Sequence, residues 1–339
     1  MTHRRFSALT LAIATIMVLF HASISTASDH SGSASSVKAK SSQQSHFALN
    51  QYLVSQPTFT LPFHVYNGHM LIDGAVNGRA GKFLFDTGTE FPFFFNNHFL
   101  ALSKDQLIGR GHAGSGQEMV LYRQEAPVLT VEIAGQIRFE HLPAQIHTDW
   151  GFLAEAYSIP SFLGSIGHGF NQNYLFVIDY DAQTIVFHAQ NEDETVLARV
   201  IDPARVVTTF EFTPTGVDGK MPEIELRVGN EAITAFFDTG NLGSLELTEA
   251  TKTALEKLGH LSLVSSDYAY GRHEPNTRAS LKGLRHGPHL LHDARNLSFK
   301  TGSKNRLGLG FHFMKNYVSI WDYKRRTLTL LRPGTDAFK

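Results

Sequence analysis

The sequence is organised by an internal repeat, which is the feature that most restricts the folds available to it. Residues 76–88 read VNGRAGKFLFDTG and residues 228–240 read VGNEAITAFFDTG, at a constant offset of 152 residues. Each segment is typical of two β-strands joined by a tight Gly/Asn turn, and the second, apolar strand runs into Asp-Thr-Gly. The repeat therefore indicates gene duplication and two halves related by a pseudo-two-fold axis.

The similarity between the halves extends beyond these strands. Residues 162–164 (FLG) are matched with residues 306–308 (RLG), and each half then closes in a predicted hairpin with an Asp-Tyr pair at its turn. Asp179 and Asp322 are the acidic members of these pairs, and they are predicted to stabilise the turns. Short strands separated by Gly, Asn and Asp account for most of the chain, so the expected fold class is all-β with short helices.

One helix is predicted at residues 248–258, where Thr248 can cap the N-terminus. An apolar stripe is expected along it, made of Ala250, Ala254, Leu255 and Leu258. Its counterpart in the first half is expected at residues 97–107, because that segment follows Asp-Thr-Gly at the same lag.

The N-terminus has the features of a secretory signal peptide. Arg4 and Arg5 precede an apolar run at residues 6–20 that is short for a membrane span, and small residues lead up to a cleavage position after Ala27. Residues 1–27 are therefore predicted to be a signal peptide, with an uncleaved N-terminal anchor as the alternative. Export to a bacterial periplasm or secretion follows from this prediction, and the lack of cysteine favours a bacterial setting.

The remaining chain divides into three predicted parts. Residues 28–47 form a flexible Ser-rich segment or a removable pro-segment, because they cannot bury enough apolar surface to fold. Residues 48–195 and 196–339 are the two halves, joined by a polar linker at residues 191–203. The formal net charge of −1 gives no electrostatic attraction to nucleic acid, and no membrane contact is expected once the signal peptide is removed.

The chemistry of the chain is expected at Asp86 and Asp238, the two aspartates of the repeated triplets. An apolar strand delivers each carboxyl group to a buried place, which is costly for a lone charge. If the halves pack about a two-fold axis, the two carboxyl groups lie side by side and share one proton. One carboxylate can then activate a water molecule while the protonated partner polarises a carbonyl group, with no cofactor or metal.

These motifs resemble the pepsin/retropepsin family of aspartic proteases, and bacterial retropepsin-like domains in particular. The matching segments are residues 85–89 (FDTGT), 162–164 (FLG), 237–240 (FDTG) and 307–311 (LGLGF). The resemblance covers about residues 60–190 and 205–332, and each repeat is similar to one retropepsin unit. It implies a bilobal acid-protease fold, with two pseudo-two-fold related β lobes in one chain.

The resemblance also implies an aspartic endopeptidase, monomeric, that acts on a peptide or protein substrate without a cofactor. The implied catalytic residues are Asp86 and Asp238. The implied supporting residues of the two active-site loops are Thr87, Gly88, Thr89, Thr239, Gly240 and Asn241.

The second half departs from the family pattern at two positions. Asn241 stands where the family usually has Ser, Thr or Ala, whereas the first half has Thr89. A threonine hydroxyl can donate to the outer oxygen of the aspartate, and asparagine could do so only with its amide, so the two aspartates need not be equally acidic. Arg306 stands where an apolar residue is usual. These departures leave open a non-catalytic peptide-binding or structural protein that keeps the fold.

A flap, the hairpin that closes over substrate in this family, has two candidate positions. One is residues 108–122, with glycines that allow mobility, and the other is residues 268–277. The candidate flap residues are Gly109, Gly111, Gly114, Tyr270 and Gly271.

A metal site was considered at His286, His289 and His292, which recur every three residues. Gly287-Pro288 breaks any helix that would align them, and the spacing fits no common zinc pattern. The histidines are therefore predicted to lie in a solvated loop, and no metal site is expected.

Overall fold

The structure is a computed structural model that describes residues 52–113, 117–189, 194–215, 221–266 and 276–334. Strands dominate these residues and the helices are short, so the prediction of a mainly β protein is confirmed. The predicted signal peptide and Ser-rich segment lie outside the described residues. None of the helices described is long and apolar enough to cross a membrane.

The N-terminal half supplies the first thirteen strands and two short helices of the described chain. The strands are β1 (Thr58–Pro62), β2 (His64–Tyr66), β3 (His69–Val76), β4 (Arg79–Phe85), β5 (Phe93–Asn96), β6 (Gln106–His112), β7 (Glu118–Gln124), β8 (Val128–Ile133), β9 (Ile137–Leu142), β10 (Gln145–Thr148), β11 (Phe162–Ile166), β12 (Tyr174–Asp179) and β13 (Thr184–Ala189). The helices are α1 (Gly151–Tyr157) and α2 (His168–Asn171).

A third helix, α3 (Glu194–Val200), leads into the C-terminal half. The strands that follow are β14 (Val206–Glu211), β15 (Thr213–Thr215), β16 (Met221–Val228), β17 (Glu231–Phe237), β18 (Ser244–Leu247), β19 (Leu261–Ser266), β20 (Asn276–Leu281), β21 (Leu284–His286), β22 (His289–Leu290), β23 (Ala294–Thr301), β24 (Arg306–Leu309), β25 (Val318–Asp322) and β26 (Thr327–Leu331). The helices are α4 (Glu249–Lys257) and α5 (Phe311–Met314).

Each half builds a large sheet with the same strand order. Among the described residues the order is β6-β7-β10-β5-β11-β4-β3-β8-β9 in one half and β19-β20-β23-β18-β24-β17-β16-β21-β22 in the other. β2 and β15 attach to β3 and β16. The bounds of β16 and β17 are those of β3 and β4 shifted by 152 residues. The sequence repeat is therefore a repeat of structure.

A six-stranded sheet joins the two halves, in the order β1-β13-β12-β25-β26-β14. Its central pair, β12 and β25, is antiparallel, with Val177 opposite Ile320. The closing hairpins predicted for each half are the pairs β12–β13 and β25–β26. Because each half gives three strands to one sheet, their relative position is fixed by backbone hydrogen bonds.

The segment between the halves is partly helical. α3 lies within the predicted linker, and the predicted boundary at residues 195/196 falls inside it. Val196 and Leu197 of α3 pack against an apolar cluster on the six-stranded sheet that includes Val177 and Ile320. The linker therefore also covers one face of the sheet that holds the halves together.

The main core lies where the closing strands of both halves meet. Phe176 of β12 stacks on Trp321 of β25 and on Phe187 of β13, with ring centroids 5.5 Å apart in both pairs. A second apolar cluster lies under α1 in the N-terminal half and includes Trp150 and Phe162. The largest core thus crosses the boundary between the halves.

The helix predicted at residues 248–258 is present as α4. Thr248 is its N-cap, and the Thr248 hydroxyl accepts a hydrogen bond from the Thr251 amide at 3.3 Å. The predicted apolar stripe is only partly right, because Leu255 is buried together with Thr251 whereas Ala250 and Leu258 are exposed.

The counterpart helix predicted at residues 97–107 is wrong. The chain makes a turn after β5, and β6 begins at Gln106. The side-chain oxygen of Asn96 accepts hydrogen bonds from the backbone amides of His98 and Trp150, both at 3.0 Å. Asparagine side chains compete for backbone groups in this way, and they favour turns over helix interiors.

Candidate active site

Matched strands deliver the two aspartates to buried positions. Asp86 follows β4 and is 1% exposed, and Asp238 follows β17 and is 0% exposed. The Asp86 amide donates to the Ile166 carbonyl at 2.9 Å, and the Asp238 amide donates to the Leu309 carbonyl at 3.2 Å. Each aspartate is therefore held by the neighbouring parallel strand of its own half, β11 or β24.

The glycines of the triplets bring the two carboxyl groups together. Gly88 donates its amide to Oδ1 of Asp86 at 2.8 Å, and Gly240 donates to Oδ1 of Asp238 at 2.9 Å. A Cβ on Gly88 would lie 2.6 Å from Oδ1 of Asp238, and one on Gly240 would lie closer still to Oδ1 of Asp86. Only glycine allows this approach, in which each loop packs on the carboxylate of the other half.

The threonines of the triplets tie the loops together. The Thr87 amide donates to Oγ1 of Thr239 at 3.0 Å, and the Thr239 amide donates to Oγ1 of Thr87 at 3.0 Å. The Thr239 hydroxyl in turn donates to the Phe85 carbonyl at 3.0 Å. These reciprocal hydrogen bonds fix the spacing of the two loops in a buried environment.

The residues after the triplets differ in their contacts. The Thr89 hydroxyl donates to Oδ2 of Asp86 at 2.7 Å. Asn241 instead accepts a hydrogen bond from the Gly243 amide on its side-chain oxygen at 2.7 Å. Within the described chain, Nδ2 of Asn241 is buried and has no hydrogen-bond partner. Asn241 therefore does not give Asp238 the contact that Thr89 gives Asp86.

The segment behind each triplet is shifted by one residue from the match made in the sequence. The strand register shifts between Phe162 and Gly164, so that Ser165 pairs with Leu84. In the other half Gly308 pairs with Phe236, the counterpart of Leu84, so Gly308 is matched with Ser165 and not with Gly164. The glycine that backs the N-terminal triplet is Gly167, where a Cβ would lie 2.5 Å from the Thr89 carbonyl. The sequence match through residues 162–164 is therefore corrected to one through residues 165–167.

Two tyrosines near the aspartates were not identified as site residues from the sequence. Burial raises the pKa of both the Tyr180 and the Tyr323 phenol, and the negative charge of Asp238 raises each further. Tyr180 packs on Phe311, with ring centroids 5.7 Å apart, and Tyr323 packs on His168 at 4.6 Å. The repeated Asp-Tyr pair was the sequence signal that could have identified them.

Asp179 and Asp322 act within the turns, as the sequence predicts. Oδ1 of Asp179 accepts from the Asp181 amide at 2.9 Å and the Ala182 amide at 3.0 Å. Oδ1 of Asp322 accepts from the Arg325 amide at 2.9 Å. The backbone contacts occupy these carboxylates at the turns that close each half.

The first candidate flap segment, residues 108–122, belongs to the pair β6–β7 at one edge of its sheet, and the matched edge of the other sheet is the pair β19–β20. Of the second candidate, residues 268–277, only Asn276 and Thr277 at the start of β20 are described. Gly109 and Gly111 lie in β6. Gly114, Tyr270 and Gly271 lie outside the described residues. The assignment of either segment as a flap that closes over the aspartates stays a prediction.

The other polar groups singled out in the sequence have local partners. Arg306 forms an ion pair with Glu223. Nδ1 of His286 lies 2.9 Å from Oγ1 of Thr208, and His292 packs on the ring of Tyr317. No group of three or more His, Asp or Glu side chains that could hold a metal ion is found in the part of the chain that the structure describes.

Comparisons with models of protein families and with curated proteins found no match for this chain. Its function is therefore argued from the geometry of the two triplets. That geometry consists of two buried carboxyl groups, one from each half, held by their own loops and packed against each other's glycines.

Proposed function

We propose that the chain is an aspartic endopeptidase with a bilobal, pepsin/retropepsin-like fold. The observation that carries the proposal is the reciprocal packing of Gly88 on the Asp238 carboxyl group and of Gly240 on the Asp86 carboxyl group. It brings together two acids that arrive on separate strands 152 residues apart in the chain. The shared strand order of the two halves and the crossed threonine hydrogen bonds support the same interpretation.

Two carboxyl groups this close share a proton, because both cannot carry a charge in a buried site without strong repulsion. The ionised carboxylate takes a proton from a water molecule as its oxygen bonds to the carbonyl carbon of the peptide. The protonated carboxyl group gives its proton to the carbonyl oxygen, and the peptide carbonyl thereby becomes a tetrahedral diol. The diol then collapses: the nitrogen takes the proton that the first carboxylate had removed from water, the carbon–nitrogen bond breaks, and one diol hydroxyl returns a proton to the second carboxylate as the amine leaves.

The proposed substrate is an extended peptide segment of a protein, bound between the halves. Both aspartates come from one chain, which supports a monomer as the active form. The N-terminal sequence supports work in a periplasm or outside the cell, because residues 1–27 have the pattern of a signal peptide.

The test replaces each aspartate with asparagine and measures cleavage of an unstructured protein, with products mapped by mass spectrometry. Asp86→Asn and Asp238→Asn should each lower kcat by about 10²–10⁴-fold, the usual contribution of general acid–base groups. Unchanged turnover in either variant would exclude a shared pair of carboxyl groups.

The matched control is Asp179→Asn, which makes the same chemical change at a buried aspartate within a turn. An asparagine oxygen can still accept the two backbone hydrogen bonds there, so activity should stay close to that of the unsubstituted chain. A folded, unsubstituted chain that binds peptides but cleaves none at any pH would favour the alternative, a non-catalytic peptide-binding protein.

A further inference from the structure

We propose that Thr89 and Asn241 are positioning residues that decide which aspartate holds the shared proton. In this assignment, Asp86 is the ionised carboxylate that activates water, and Asp238 is the protonated group that donates to the carbonyl oxygen. The inference rests on the proposed peptidase function and adds to it an order of roles that the repeat alone leaves undetermined.

The inner contacts of the two carboxyl groups do not distinguish them. Gly88 and Gly240 donate to Oδ1 of their own aspartates at 2.8 and 2.9 Å. The backbone hydrogen bonds to Ile166 and Leu309 are likewise matched. The contacts do differ at the residues that follow each triplet, Thr89 and Asn241.

On the N-terminal side, a chain of hydroxyl groups aims a proton at Asp86. Thr89 is fully buried, and its hydroxyl donates to Oδ2 of Asp86 at 2.7 Å. Ser165 donates its hydroxyl to Oγ1 of Thr89 at 3.3 Å. Because Thr89 accepts from Ser165, its own proton remains directed to Asp86, and a donated hydrogen bond stabilises the charged form of a carboxyl group.

On the C-terminal side, the backbone determines how Asn241 is oriented. The Gly243 amide needs an acceptor, so the side-chain oxygen of Asn241, and not its nitrogen, faces that amide at 2.7 Å. Nδ2 then lies beside Gly308, 3.0 Å from where a Cβ of that residue would stand. Gly308 occupies the place of Ser165 in the other half, so the hydroxyl chain of the N-terminal side is not reproduced.

The consequence is an unequal pair. Turning the Asn241 amide toward Asp238 would break its hydrogen bond to Gly243, whereas Thr89 stabilises charge on Asp86 with no such conflict. The shared proton is therefore held on Asp238. During the reaction the proton of the attacking water passes to Asp86, and the proton of Asp238 passes to the carbonyl oxygen.

Other titratable residues lie on the elements packed around the pair. Tyr180 follows β12 and Tyr323 follows β25, and the raised pKa of each phenol keeps it neutral near Asp238. Two titratable residues lie beside Thr89. His168 donates its backbone amide to the Thr89 carbonyl at 2.7 Å, and Glu90 is the next residue in the chain. His312 flanks Asn241 through its amide contact with Leu242 at 3.2 Å.

The test compares the two limbs of the pH profile of kcat/KM. In the proposed assignment, the acidic limb reports ionisation of Asp86 and the alkaline limb reports loss of the proton from Asp238. Thr89→Val should move the midpoint of the acidic limb up by about one pH unit, and Asn241→Thr should move the midpoint of the alkaline limb down by about one pH unit. A hydrogen bond to a charged group changes its pKa by roughly that amount. Thr89→Ser should restore the original acidic limb.

If the roles of the two aspartates are reversed, Thr89→Val should shift the alkaline limb and Asn241→Thr should shift the acidic limb. That result would overturn the proposal. Two unshifted limbs would also overturn it.

A second measurement needs no turnover and separates this proposal from the peptidase function. Carbon NMR of protein labelled at the aspartate carboxyl carbon can follow both groups, with their signals identified by loss in Asp86→Asn and Asp238→Asn. The Asp238 signal should keep the shift of a protonated carboxyl group at a pH where the Asp86 signal is that of a carboxylate. The reverse order would refute the assignment even in a chain that cleaves no peptide.

Discussion

The two halves share their strand order but cover one sheet face in different ways. In the N-terminal half, α1 lies between β10 and β11 and closes an apolar cluster over that face. The cluster is buried and includes Leu71, Leu84, Phe94, Ile146, Trp150, Leu153 and Phe162. In the C-terminal half, β23 and β24 are joined directly by residues 302–305, with no helix between them.

Polar residues replace this cluster at the matched positions of the C-terminal half. Glu223 stands for Leu71, and Arg306 stands for Phe162 in the strand pairing. The Arg306 guanidinium pairs with Glu223 and lies over the ring of Phe236, 5.1 Å from its centroid. An ion pair and a ring contact thus cover this face in the C-terminal half, where apolar side chains cover it in the N-terminal half.

The comparison of the two halves shows that the repeat preserves strand pairing but not the side chains that cover this sheet face. Both halves keep the backbone pairings that hold the aspartates, while on this face the apolar Leu71 and Phe162 are exchanged for the charged Glu223 and Arg306. The same exchange explains Arg306, which pairs with Glu223 at the position that Phe162 occupies in the other half. The framework that positions the candidate site is thus independent of how each sheet is covered.

Removing the large side chain from the apolar face should have the largest effect on stability. Phe162 is 1% exposed and packs on Trp150, with ring centroids 6.2 Å apart. Phe162→Ala should lower the free energy of unfolding by about 3–5 kcal/mol, because it leaves a cavity in a closed cluster. Arg306→Ala, the matched variant, should cost only about 1 kcal/mol, since a partly exposed ion pair contributes little. Urea denaturation measures both, and equal losses would show that the two faces contribute alike.

The contact between the halves should be the next most sensitive feature. Gly88→Ala and Gly240→Ala each place a methyl group against a carboxylate of the other half. Displacing a reacting group by about 1 Å can cost about 10²-fold, so each variant should lower kcat/KM by that order. Tolerance of either active-site substitution would contradict reciprocal packing.

The sequence was sufficient to predict the parts of the fold that rest on local patterns. Alternating apolar strands, Gly/Asn turns and the repeated triplets predicted β3–β4, β16–β17 and the two closing hairpins. These features depend on a few adjacent residues, and both copies of each point to the same structure. The cap of α4 at Thr248 was local in the same sense.

Features decided by distant contacts could not be predicted. The register shift after Phe162 places Ser165 next to Thr89, and no local pattern marks a bulge of one residue. The orientation of Asn241 depends on competition for the Gly243 amide. The absence of a helix at residues 97–107 depends on Asn96, which bonds to the backbone of Trp150 far along the chain.

A further difference between the halves concerns charge at acidic pH. His69 begins β3, and Met221 is the residue at the same position of β16. Burial and, to a lesser extent, the nearby His312 together lower the pKa of His69 from 6.5 to about 4. The pKa of His312 is also lowered to about 4, by burial and then by Lys315 and Arg278. The turn before His69 reaches the C-terminal half, where a Cβ on Gly68 would lie 2.9 Å from the Phe311 ring.

The two histidines, His69 and His312, should affect stability least, because they change the free energy of unfolding only when the pH is lowered. The folded state keeps His69 neutral down to about pH 4, whereas the unfolded chain takes up the proton near pH 6.5. The unfolded state therefore binds more protons in this window, so stability is fully present above about pH 6.5 and falls as the pH drops toward 4. His69→Met, which copies the C-terminal half, should flatten this fall by at most about 1.4 kcal/mol per pH unit.

Urea denaturation at about pH 5 and about pH 7.5 measures the change, with His64→Met as the control at an exposed histidine of β2. His64 lies 3.7 Å from Asp73, but the two side chains are 67% and 61% exposed, so this contact contributes little and the control should keep the slope of the unsubstituted chain. If His69→Met kept the same slope as well, the buried histidine would not be the source of the acid sensitivity. A reduced slope in that variant alone would show that His69 contributes to the acid sensitivity of the contact between the halves.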